Sequence, residues 1–166
     1  GMIHKNMSIE EQKKNVELVK RNESGMVIDP ITLHPEQTVL EAETLLHHYS
    51  ISGLPVVDSS NRLIGIVTNR DIRYIKLDNT PVSKIMSKDN LVTGKEGISL
   101  EEAQEILWKN RIEKLPIVNN EGVLVGLITS KDIDKKKDYP NAAKDNKGRL
   151  LCGAAVGVGS STLERV

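Results

Sequence analysis

Two stretches of this chain say the same thing. Gly53 to Ile72 reads GLPVVDSSNRLIGIVTNRDI, and Lys114 to Ile133 reads KLPIVNNEGVLVGLITSKDI. Positions 55 and 116, 65 and 126, and 71 and 132 all stand 61 apart, and no gap is needed between Ile31 and Ile133. Each copy reads as an apolar strand, a polar turn, a second apolar strand and a helix. Two copies, rather than three or more, point to a pseudo-twofold pair and away from a solenoid.

Composition narrows the classes open to such a pair. The 166 residues suffice for one ordinary domain or two very small ones. Apolar residues make up 38%, but aromatics only 2% and Phe is absent, so the core must come from Val, Ile, Leu and Ala. Lys+Arg and Asp+Glu balance at 23 each. A zero net charge argues against a nucleic-acid partner and against an electrostatic membrane anchor. No apolar run approaches the roughly 20 residues of a spanning helix, and no signal-peptide pattern opens the chain, so the expected compartment is the cytoplasm. The single cysteine, Cys152, excludes an internal disulfide and a cysteine zinc cluster.

Taken in order, residues 1–25 carry one helix over about 8–21. Ser8 is its cap and Glu11 stands at the capping-box spacing. Met26-Val27-Ile28 reads as a short strand. Thr38 caps a helix whose apolar face is Val39, Ala42, Leu45, Leu46 and Tyr49. Strands over 54–57 and 63–67 follow, both nearly all apolar and so expected to be covered on both faces. A helix is predicted from about Asn69 to Lys76. In the second copy Ser99 caps a helix with Leu100, Ala103, Ile106 and Leu107 on one face. Leu150 to Val158 reads as a small-residue strand with no sheet to join, and Ser160 or Ser161 can cap a helix after it.

The sharpest shared feature is Thr68-Asn69-Arg70-Asp71, repeated as Thr129-Ser130-Lys131-Asp132. One account is structural: Thr is a good N-cap, and an acid at the third helical position complements free N–H groups. The other adds a ligand. A carboxylate at the start of a helix can accept from two ribose hydroxyls, while Arg70 or Lys131 meets phosphate oxygens. Thr-x-x-Asp is too short to choose between them. Gly65 and Gly126, mid-strand, suggest a bulge, a close approach or tight packing.

His47 and His48 are adjacent and point apart on a helix, so they form no metal pair; they and the isolated His4 and His34 are expected to be solvated. Cys152 reads as a buried inert thiol. Gly157-Val158-Gly159 lacks the third glycine and the later acid of a dinucleotide fingerprint. No residue set is assigned to catalysis or to a metal.

The paired motifs GLPVVD…RLIGIVTNRDI and KLPIVN…VLVGLITSKDI resemble tandem CBS domains, a Bateman module, over about Met26 to Lys137. The resemblance implies an α/β (α+β) fold: two β-α-β-β-α motifs paired by a pseudo-twofold, with adenosine- or guanosine-type nucleotides in the clefts between them. By position it implies ribose-binding roles for Asp71 and Asp132 and ribose or phosphate contacts for Thr68 and Thr129. Arg70 and Lys131 are candidates for phosphate, as is Lys114, whose counterpart is Gly53, so the clefts are expected to be unequal.

The flanks, GMIHKNMSIEEQKKNVELVKR and YPNAAKDNKGRLLCGAAVGVG, are similar to those of the inosine-5′-monophosphate (IMP) dehydrogenase family, in which the pair is inserted in a (β/α)₈ barrel. The expected division is 1–25 and 142–166 as incomplete barrel segments, 26–85 as the first CBS motif and 86–141 as the second. A barrel needs about 250 residues, and nothing here matches the family's catalytic cysteine loop. The chain alone is therefore expected to be no enzyme and to hold no cofactor, with NAD confined to the full-length enzyme. The implied partners are a purine nucleotide effector (ATP, ADP or GTP), the rest of the barrel, and further copies through the CBS pairs. A purely structural dimerisation module and an NAD-dependent dehydrogenase in its own right are the alternatives.

Overall fold

The computed structural model describes residues 2–21, 25–139, 141–143, 145, 150–158 and 162–165. In chain order its elements are β1 (Met2–Ile3), α1 (Ile9–Arg21), β2 (Val27–Ile28), α2 (Val39–His48), β3 (Gly53–Val57), β4 (Leu63–Thr68), α3 (Asn69–Ile72), a 3₁₀ turn at Val82–Lys84, β5 (Gly94–Lys95), α4 (Leu100–Asn110), β6 (Lys114–Val118), β7 (Leu124–Thr129), α5 (Ser130–Asp138), β8 (Gly153–Ala154) and α6 (Thr162–Arg165). They form two compact units, residues 28–130 and residues 1–27 with 131–166.

The 28–130 unit holds the first copy and the second as far as the end of β7, and the offset of 61 recurs in its geometry. β3 and β4 pair antiparallel with Gly53 opposite Thr68, and β6 and β7 pair with Lys114 opposite Thr129. Both hairpins slip register at the same place, between Val56 and Val57 and between Ile117 and Val118, beside Gly65 and Gly126. Non-glycine residues with positive φ also come in equivalent pairs, Asp29 with Asn90 and Ser50 with Arg111. The opening strand of each motif lies parallel to the next: β5 on β6, and Leu33 in a single bridge to Val56.

The copies face each other through their hairpin turns. Leu63 N–H donates to Gly122 O at 3.1 Å, and Leu124 N–H donates to Asn61 O at 3.0 Å. Arg62 and Val123, the same position in the two copies, bridge one another. A reciprocal contact of this kind is the signature of a twofold, so the pairing expected from two repeats is present.

Burial follows the apolar stripes. Leu33, Val39, Ala42, Leu46, Leu54, Val56, Val67, Ile72 and Val82 form the core of the first copy. Ala103, Leu107, Leu115, Ile117, Leu127 and Ile128 are buried in the second. β3 is buried at every residue, but β4 only at Gly65 and Val67, so the expectation that both strands are covered on both faces is met by β3 alone. The predicted helix over 69–76 stops at Ile72. Past Ile72 nothing on that stretch is buried: Tyr74 is 87% exposed and Leu77 44%. A helix without a buried face gains too little to propagate. Tyr49 lies one residue beyond α2, as its C-cap.

Caps hold the helix starts as the sequence implies. Thr38 N–H and Oγ1 both donate to Glu41 Oε2, at 2.7 and 2.8 Å. Ser99 N–H and Oγ donate to Glu102 Oε2 at 3.0 and 2.9 Å. These bonds, the backbone one foremost, hold both carboxyls below the ordinary glutamate range. A carboxyl depressed in the folded state adds stability that is complete above its unfolded pKa and is lost as pH falls through the folded one. The melting midpoint should therefore decline as pH drops below about 4.5, and Glu41→Gln with Glu102→Gln should flatten that decline in melts between pH 6 and 3. An unchanged decline in the double variant would rule these caps out as its source.

In the other unit, α1 starts with the expected capping box: Glu11 N–H donates to Ser8 Oγ at 3.1 Å and Ser8 N–H to Glu11 Oε2 at 2.9 Å. The predicted strand over 150–158 is shortened to Gly153–Ala154, and it does have a partner, pairing parallel with β1 as Met2 opposite Gly153 and Ile3 opposite Ala154. The buried Gln12 bonds Ala155 O through Nε2 at 3.0 Å and receives Arg165 Nη1 on Oε1 at 3.1 Å, satisfying both ends of its amide. Cys152 stands just before β8 and is half-buried, not buried as expected. Ser160 and Ser161 lie outside the described residues.

Candidate functional site

β4 ends at Thr68, in extended backbone (ψ 166°), and α3 begins at Asn69. The Asp71 carboxylate turns back on this corner. Thr68 N–H and Oγ1 both donate to its Oδ2, each at 2.7 Å. Both bonds fall on one oxygen, so Oδ1 takes no hydrogen bond from the described residues and can accept from a ligand. The corner thus combines a satisfied cap with a spare acceptor, and the two readings of Thr-x-x-Asp are compatible here. With only four residues, α3 has little macrodipole to offer an anion; negative charge has to be met by side chains.

Those side chains converge on a cavity of about 400 Å³ within the 28–130 unit. Its size falls in the range of small-molecule sites. Thr68, Arg70 and Asp71 come to it from the first copy, and Arg111, Glu113 and Lys114 from the join between α4 and β6 in the second. Ile66, Leu91, Val92, Ile112 and Pro116 give it an apolar wall, and Ser52, Ser87 and Asp89 add polar groups. The Lys114 side chain is only 8% exposed, and Nζ lies 3.7 Å from Glu113 Oε2. An apolar wall suits an aromatic base, a carboxylate beside a hydroxyl suits a diol, and clustered cations suit phosphate.

Of the seven candidate residues, Thr68, Arg70, Asp71 and Lys114 thus line one cavity. Thr129, Lys131 and Asp132 are not part of its lining. Thr129 closes β7, and Lys131 and Asp132 lie in the first turn of α5.

Arg111 is the residue that sequence reasoning missed. It ends α4 in left-handed backbone (φ 53°, ψ 41°), a conformation usually left to Gly or Asn. That turn sets the start of β6 beside the cavity. The signal was available in the spacing, since Arg111 stands three residues before Lys114 and 61 after Ser50, but no local rule favours arginine there. Gly65, one of the mid-strand glycines, faces no ligand space: a Cβ on it would sit 2.5 Å from Met86 Sδ. It is there for close packing.

Among the described residues no helix is long and apolar enough to cross a membrane, and no group of three or more His, Cys, Asp or Glu side chains could hold a metal ion. Known proteins complete the picture. The chain is 56% identical over 168 aligned positions to the IMP dehydrogenase of Aquifex aeolicus, covering all of this chain and 34% of that enzyme. It thus spans about a third of the length of the curated relatives it matches. Among solved structures it is similar to GMP reductase of Trypanosoma brucei in complex with guanosine 5′-triphosphate, with a TM-score of 0.84 and 34% identity over 99% of this chain and 41% of that one. It shares its fold with CBSX2, solved in complex with AMP (TM-score 0.61, 23% identity, 68% of this chain and 90% of that one). The family model for the CBS domain matches twice, over residues 23–78 and 82–137. The hairpins, the reciprocal turn contacts and these two matches agree: the chain belongs to the CBS-domain family, as a tandem pair.

Proposed function

We propose that the pair is the regulatory purine-nucleotide-binding module of an IMP dehydrogenase, with its ligand in the cavity at Thr68, Asp71 and Lys114. One observation carries the proposal: a single cavity joins an apolar wall to a ribose-type acceptor and three cationic side chains, Arg70, Arg111 and Lys114. The identity with IMP dehydrogenase over the whole chain and the GTP named for the GMP reductase relative support it. Thr129, Lys131 and Asp132 are assigned the same roles by their equivalent positions in the second copy. Nucleotide held there biases the arrangement of the two copies, and so of the attached enzyme, through its unequal affinity for two states.

The remaining parts of the reading follow from the same relatives. Residues 1–25 and 142–166 are assigned to the barrel, which the parallel β1–β8 pair with a helix after each strand supports, because parallel neighbours joined through helices are the barrel's repeating element. The chain itself is assigned no catalytic step, and sustained NADH formation from IMP and NAD by the purified chain would overturn that. Separate chains are proposed to associate through their CBS pairs, on the face of α4 where Trp108 is 82% exposed. A Trp emission that does not change with protein concentration would count against association there.

The deciding test is a melting series against ATP, ADP, AMP, GTP and NAD. At about 100 times its dissociation constant a ligand adds about 2.7 kcal/mol to the folded state, which at about 2–4 °C per kcal/mol for a chain of this size raises the midpoint by about 5–11 °C. A rise with a purine nucleotide is expected. If none of the five moves the midpoint, the module is a structural pairing unit instead.

A further inference from the structure

Gly53 and Lys114 are the same position in the two copies, and the fold brings them into contact. A Cβ built on Gly53 would lie 2.7 Å from Lys114 Cε, 2.8 Å from Cδ and 3.1 Å from Val67 O. The lysine stem therefore lies across the face of the glycine; its side chain is 8% exposed, and the residue lines the Thr68–Asp71 cavity.

We infer that Gly53 is a positioning residue whose missing side chain aims the Lys114 ammonium into that cavity. The inference rests on the proposed nucleotide site and deepens it by naming what fixes its phosphate-side cation. The steric argument is specific. The two closest atoms belong to the outer part of a flexible side chain, so a methyl group at position 53 is accommodated by swinging the lysine away more readily than by moving backbone. Gly53 has no positive φ, so alanine fits its backbone conformation. Its reason for being glycine is the volume the lysine needs. Nor can both positions hold long side chains, because the two stems would compete for one space. The contact therefore assigns the cation to one copy.

The test titrates the chain with ATP and with adenosine by calorimetry at 50 and 200 mM salt. Lys114→Met is expected to weaken ATP roughly tenfold or more and to reduce the salt dependence of binding, leaving adenosine unchanged. Gly53→Ala, which removes no charge and touches no phosphate, is expected to do the same. The double variant should bind ATP no more weakly than Lys114→Met alone, since both changes act through one ammonium. If Gly53→Ala unfolds the chain, recovery of folding when Lys114→Ala is added, which removes the Cδ and Cε that the new methyl group meets, supports the contact, and its absence overturns it. ATP binding and salt dependence unchanged in a folded Gly53→Ala, or losses that add in the double variant, would defeat the inference while leaving the nucleotide site standing. Failure of the unaltered chain to bind either ligand removes the site and the inference together.

Discussion

Leu115→Ala should cost the fold about 3–5 kcal/mol and lower the melting midpoint by about 6–20 °C. Leu115 has no exposed surface and sits on β6, with β5 on one side and β7 on the other. A Cβ built on Gly94 would lie 3.2 Å from Leu115 Cδ2, so the neighbouring strand packs beside it closely enough that a side chain there would crowd it. A core without phenylalanine has no bulky ring to lean into the gap, so the void left by three deleted carbon atoms persists. Leu40→Ala is the control: the side chain is 45% exposed, and a change within about 0.5 kcal/mol is expected. Equal effects of the two substitutions in thermal melts would show that β6 is not the packed centre it is taken to be.

Asp71→Ala should weaken nucleotide binding by about 1.5–3 kcal/mol for each charge-assisted hydrogen bond lost, or roughly 10- to 150-fold if one is lost. Glu41 makes the comparison informative. Its carboxylate receives the backbone N–H and the hydroxyl of its capping residue on a single oxygen, as Asp71's does, but Glu41 lines no part of the cavity. Glu41→Ala should therefore lose a cap and keep the ligand, while Asp71→Ala loses both. If calorimetric titration with ATP finds the two variants equally affected or equally untouched, Asp71 is a cap and nothing more.

The contrast between these acids shows where local rules stop. Thr38, Thr68 and Ser99 with an acid three residues on are legible as caps because the geometry is set within one turn. The offset of 61 was legible for the same kind of reason, and it carries the hairpins, their bulges and the pairing of the copies. The end of α3 was not, because Tyr74, Ile75 and Leu77 look like a helical face until one knows that nothing covers them. The β1–β8 pair joins residues about 150 positions apart, with two residues a side, too little to leave a pattern. Arg111 escaped because its importance comes from a left-handed turn that its residue type does not advertise. The candidate corners, by contrast, could be named in advance. Which of them share one cavity depends on how the copies meet, and that is a property of the pair rather than of either motif.

The bridge between Arg62 and Val123 has a consequence for how such a pair can diversify. In an assembly of two identical chains, a residue on the twofold axis meets only itself, and any substitution there happens twice at one spot. Joining the copies in one polypeptide lifts that restriction, because each side of the axis is encoded separately. Arginine can then sit against valine. The tandem chain thus reaches combinations at its own centre that no symmetric dimer of a single motif could encode.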